Sequence, residues 1–61
     1  MIPLSKEMQR IIKIIEKKGF YRVTALDTER ARWAIRRMRK AGMLEVIAQT
    51  DSYIDFGRLW V

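Results

Sequence analysis

Sixty-one residues is about half the commonest domain length, so the chain has room for one domain, residues 1–61, with a thin core. Thirteen Lys and Arg against seven Asp and Glu leave a net charge of +6 without His, and a 49% hydrophobic content is too high for a disordered chain. The lack of Cys excludes disulfide staples, Cys-ligated zinc and thiol nucleophiles together.

Ser5 is a fitting N-cap, with Leu4 placed to pack back on the first turn. Met8, Ile11, Ile12 and Ile15 then share one helical face, while Lys6, Arg10, Lys13 and Lys17 share the opposite one. Gly19 after Lys17-Lys18 supplies the stop, which predicts a first helix over roughly 5–18. Phe20 to Ala25 is β-prone and short, and reads as a brief strand. Thr24-Ala-Leu-Asp27 fits the S/T-x-x-[DE] start signal, and Asp27 and Thr28 are each acceptable N-caps. A second helix follows to about Ala41, with Ala31, Ala34, Ile35, Met38 and Ala41 as its apolar side and Gly42 as its end. Two β-like stretches, 43–49 and 53–61, flank Thr50-Asp51-Ser52 and predict a hairpin. The expected order is α-β-α-β-β, an α+β class.

The charge is uneven along this order. Residues 1–27 carry six basic and three acidic side chains, and residues 43–61 carry one against three. Between them, residues 28–42 hold Arg30, Arg32, Arg36, Arg37, Arg39 and Lys40 against Glu29 alone. The positive field therefore peaks on one fifteen-residue segment.

The runs Lys17-Lys18-Gly19-Phe20, Val23-Thr24-Ala25 and Arg36-Arg37-Met38-Arg39-Lys40-Ala41-Gly42-Met43-Leu44-Glu45 resemble a winged helix-turn-helix domain over nearly the whole chain. The last run is similar to the phrase that closes the recognition helix of that family and leads into its hairpin wing. The resemblance implies a small winged-helix-like domain with a C-terminal β-hairpin wing, and DNA as its partner. Two departures stand out. Only eight residues lie between Gly19 and Thr28, so the family's separate second helix is reduced to one turn at 24–27 or lost. The hairpin is net acidic, whereas wings that grip DNA tend to be basic.

On a helical wheel the six cations of the second helix and Trp33 fill a broad outer arc with Glu29. Arg32–Arg36 and Arg36–Lys40 are one turn apart, a repulsion of tenths of a kcal/mol per pair that a polyanion would relieve. Arg is suited to this role because its planar fork binds phosphate or a guanine edge in a bidentate way. Residues in the N-terminal half of such helices reach bases, which points at Arg32, Trp33 and Arg36. The candidate contact set is Thr28, Arg30, Arg32, Trp33, Arg36, Arg37, Arg39 and Lys40, with Lys17, Lys18 and Arg22 holding the backbone.

The expected function is a small double-stranded-DNA-binding protein, a transcriptional regulator, that inserts this helix into the major groove. The alternative is a module or inhibitor docking the basic face on an acidic partner protein; RNA shares the electrostatics but not the usual multi-aromatic sheet motif. A solvated basic face is the plain reading, and it is preferred for the Lys6–Lys17 stripe. For Trp33 three covers are open: a base or sugar, the hairpin, or a second subunit. The aromatic residues read mainly as core. Ile14, Ile47, Leu59 and Val61 are difficult to fit inside it, and the last strand reads as an unprotected edge, so a homodimer is expected.

Ser5 and Ser52 lack a His to activate them, no Gly-rich phosphate loop exists, and Asp51 and Asp55 lack further acidic partners for a metal. The chain is therefore not expected to be an enzyme or to take a cofactor, a metal or a small-molecule ligand. No secretory signal or membrane-spanning run is seen, which leads us to expect a cytoplasmic protein with no membrane role.

Overall fold

A computed structural model describes residues 4–59. Its elements follow the order α1 (Lys6–Lys18), β1 (Tyr21–Thr24), α2 (Glu29–Lys40), β2 (Leu44–Gln49) and β3 (Tyr53–Arg58). The three strands form an antiparallel sheet in the order β1-β3-β2, with β2 and β3 as a C-terminal hairpin. This is the winged-helix-like α+β topology that the sequence predicts. The stretch predicted as strand up to Val61 ends at Arg58; Trp60 and Val61 lie outside the described residues.

Local chemistry sets the helix ends. The Ser5 hydroxyl accepts the Met8 N–H at 3.2 Å, and the Gly19 N–H reaches the Ile15 carbonyl at 2.7 Å. Thr28 caps α2 in the same way, its Oγ1 accepting the Ala31 N–H at 3.2 Å. The other end of α2 closes as a Schellman motif: Met43 N–H bonds the Met38 carbonyl and Gly42 N–H bonds that of Arg39. That motif needs a left-handed residue after the cap, and Gly42 supplies it at φ 77°. Thr28→Ala is expected to cost about 1 kcal/mol, read as a lower urea midpoint at unchanged slope.

The Thr24–Asp27 start signal does not start a helix. Its groups close a tight turn instead: Thr24 N–H donates to Asp27 Oδ2, and Asp27 N–H donates to the Thr24 backbone carbonyl, which is a β-turn bond and not the hydroxyl bond of a capping box. The turn is tied further by Leu26 N–H to Thr24 Oγ1 and leaves the Leu26 side chain 94% exposed. No second helix stands between β1 and α2, so α2 follows the strand directly.

The core is one cluster: Met8, Ile11 and Ile15 of α1, Ala34, Ile35 and Met38 of α2, and Tyr21, Leu44 and Phe56 of the sheet. Ile12, Ile14, Val23, Met43 and Ile54 pack around it half-buried. Three expectations are corrected here. Ala41 sits at the helix cap and is exposed, because the chain turns away before that position reaches the core. Among the aromatics, Tyr21 and Phe56 are buried, whereas Phe20 and Tyr53 stay half-exposed. The last strand is no edge: β3 lies between β1 and β2, so the open edges belong to those two.

A bulge between Val46 and Ala48 puts Ile47 over Gly57, where a Cβ would come within 2.8 Å of Ile47 Cγ2. Ile47 and Leu59 nevertheless remain about half-exposed, which matches the excess of apolar side chains that the sequence carries. Among the described residues, no helix is long and apolar enough to cross a membrane.

Candidate nucleic-acid interface

The α2 helix turns Ala31, Ala34, Ile35 and Met38 inward, and its 100° step leaves every cation on the outer arc. Arg30, Arg32, Arg36, Arg37, Arg39 and Lys40 are all exposed. None is paired with a carboxylate among the described residues, where Arg10–Glu7 and Arg22–Asp55 form ion pairs. Arg32 donates to the Ala25 carbonyl at 2.9 Å, which ties it to the turn before α2. The Arg37 guanidinium lies 4.8 Å from the centre of the Trp33 ring, and that of Arg39 lies 5.4 Å from the Phe56 ring. Arg30, Arg36 and Lys40 make no hydrogen bond or ion pair among the described residues.

Two open grooves flank the helix and share Arg32 and Arg36 as a common ridge. The first, of about 830 Å³, runs between the starts of the two helices, with Lys6, Glu7, Glu29, Arg30 and Trp33 on its walls. The second, of about 580 Å³, lies between α2 and the sheet. Arg39 and Lys40 extend its cationic wall, and Val23, Ile54 and Phe56 form an apolar lining. That apolar lining has no signature in the sequence, because it arises from pairing of β1 with β3 across about thirty residues.

The remaining candidates lie apart from this surface. Thr28 uses its oxygen as the cap of α2. Lys17 and Lys18 sit at the far end of α1, about 18 Å along the helix from the turn that lines the first groove. Arg22 points from the opposite face of the sheet, where it grips both carboxylate oxygens of Asp55 at 2.8 and 3.0 Å. Its guanidinium also lies 3.7 Å from the centre of the Tyr53 ring and 5.6 Å from that of Phe20. This commitment separates Arg22 from the backbone-holding cations among which the sequence placed it. The Lys6–Lys17 stripe is interrupted likewise, since Arg10 pairs with Glu7 and donates to the Tyr21 hydroxyl.

Compared with protein-family models, curated proteins and solved structures, the chain matches none. The site is therefore defined by its own chemistry. Among the described residues no cluster of three or more His, Cys, Asp or Glu could hold a metal. What α2 offers is a rod with six cations and an indole outside, backed by a packed apolar core.

The Arg22–Asp55 pair has a consequence for stability. Hydrogen bonds from Arg22 hold the Asp55 carboxyl below its ordinary value, with the nearby positive charge adding to the effect. A carboxyl whose value is lowered by folding stabilises the fold above the ordinary carboxylate range. That contribution is lost as pH falls through the lowered value. Melting temperature is expected to drop on acidification in the wild type and to drop less steeply in Asp55→Asn; parallel pH profiles would contradict this role.

Proposed function

We propose that the protein binds double-stranded DNA through α2, acting as a reduced winged helix in which a tight turn replaces the helix before the recognition helix. The observation that carries this reading is the set of six exposed α2 cations without a carboxylate partner among the described residues. Six charges along a helix of about 18 Å, one per about 3 Å, match the spacing of phosphates along one strand of duplex DNA, about one per 3.4 Å of axis. Neutralising them releases condensed counterions and relieves the repulsion between Arg32, Arg36 and Lys40. Regulation of transcription is the role that a small module of this kind fits.

The hairpin opposes DNA less than its composition implies. Asp55 is neutralised by Arg22, so Glu45 and Asp51 are the carboxylates left beside Arg58. On this reading Arg32 and Arg36, the ridge between the grooves, contact base edges, whereas Arg37, Arg39 and Lys40 hold the backbone.

Anisotropy titration of a labelled duplex against salt tests the reading. Four phosphate contacts, those of Arg30, Arg37, Arg39 and Lys40, predict a log–log slope of about −3.6 and an affinity loss of about 10² between 50 and 200 mM salt. Arg36→Ala should relax sequence preference, whereas Lys40→Ala should weaken all duplexes evenly and flatten the slope by about one. No duplex binding at 50 mM salt would overturn the proposal and turn attention to an acidic protein partner.

A further inference from the structure

We infer that Trp33 is a base-stacking site, which holds an unpaired nucleobase against the open face of its indole. The inference rests on α2 being a nucleic-acid interface and deepens it by naming the form of nucleic acid preferred: duplex that carries an unpaired base.

Trp33 lies about 130° around the helix from the buried line of Ala31, Ala34 and Met38, and is 55% exposed although Arg37 lies over its ring. It shares its groove with Ser5, Lys6 and Glu7 at the start of α1, yet more than half of it stays open to solvent. Arg30, Arg32 and Arg36 line the groove that it faces, and of the two carboxylates there Glu7 is already paired with Arg10. An indole gains nothing from water, so a large flat apolar surface among cations fits a ligand that is itself flat, apolar on one face and anionic.

A second copy of the chain does not meet those terms. A two-fold contact centred on Trp33 would bring Arg30, Arg36 and Arg37 against their own equivalents, and like charges oppose it. A nucleotide meets them, since each base has a π face and each unit has a phosphate. The continuous duplex presents only base edges in its grooves, however. A base face becomes accessible where the stack is broken, at a bulge, a gap or a frayed end. With Arg37 on one side of the ring, the other side takes the base, and a groove of about 830 Å³ has room for a nucleotide.

The test compares three labelled ligands at 50 mM salt, where backbone contacts are strong. They are a continuous duplex, the same duplex with one unpaired thymidine, and that duplex with an abasic nucleotide in place of the thymidine. Binding should be about tenfold tighter to the ligand with the unpaired base than to the other two. Trp33→Ala should abolish that preference, so that the variant binds all three ligands with equal affinity, while Trp33→Phe keeps part of it. Circular dichroism confirms that each variant is folded; the exposed indole makes folding defects easy to avoid. Equal affinity for the three ligands, or a preference that survives Trp33→Ala, overturns the stacking site alone. Absence of binding to all three overturns it together with the α2 interface.

Discussion

Replacing Arg36, Arg37 and Lys40 together by Gln is expected to weaken duplex binding about 10³-fold at 50 mM salt while the fold persists. The magnitude follows from counterion release. Without the phosphate contacts of Arg37 and Lys40 the log–log slope falls by about 1.8, which over the twentyfold dilution from 1 M salt, where this contribution vanishes, amounts to about 10²; the base-edge contact of Arg36 adds about another tenfold. The fold should persist because all three side chains are exposed, and none holds a carboxylate among the described residues. Removing three like charges from one helix also relieves repulsion by tenths of a kcal/mol per pair. The one packing interaction given up is Arg37 on Trp33, at an exposed site. Far-ultraviolet circular dichroism and a urea titration should show an unchanged or slightly raised stability. A variant that binds duplex like the wild type would show the α2 cations to be a solvated face.

Met38→Ala is expected to unfold much of the population at room temperature. Met38 is fully buried in the cluster formed by both helices and the sheet, and its carbonyl closes the Schellman motif of α2. Truncating a buried Met costs about 2–5 kcal/mol, and a domain of this length has about 3–9 kcal/mol in total. Duplex affinity should fall in proportion to the folded fraction, since the same helix carries core residues on one side and the proposed contact cations on the other. A urea midpoint within experimental error of the wild type would contradict this packing. Ala34→Gly on the same face is a milder control, at about 1 kcal/mol from helix propensity alone.

Both helices and the hairpin were legible because their signals are local. Ser5 and Thr28 each accept the N–H three residues on, Gly19 and Gly42 stand at the stops, and the apolar period marks the buried faces. The order of elements followed from these signals, and so did the outward placement of the α2 cations. Long-range pairing was not legible. No local pattern says that β3 inserts between β1 and β2, since a hairpin and a third strand can join on either side. The pairing of Arg22 with Asp55, 33 residues away, depends on that choice, and so does the apolar lining of Val23, Ile54 and Phe56 beside α2. The Thr24–Asp27 motif left a single turn or no turn open before α2, because a side chain that accepts the N–H three residues back closes a turn whether or not a helix follows.

The same division applies to the proposed interface. Its charge was visible in the composition of residues 28–42, but its shape was not. Arg32 and Arg36 become a ridge between two grooves only because α1 lies on one side of α2 and the sheet on the other. Arg22, equally basic in sequence, is removed from the interface by a single carboxylate on β3.

A chemical-shift map of the labelled protein with random-sequence duplex DNA tests the central claim most directly. The account predicts perturbations concentrated on residues 28–42, strongest at Arg30, Trp33, Arg36 and Lys40, with the Thr50–Ser52 hairpin tip and the Arg22–Asp55 face unmoved. Perturbations confined to that opposite sheet face, or none at 50 mM salt, would contradict it.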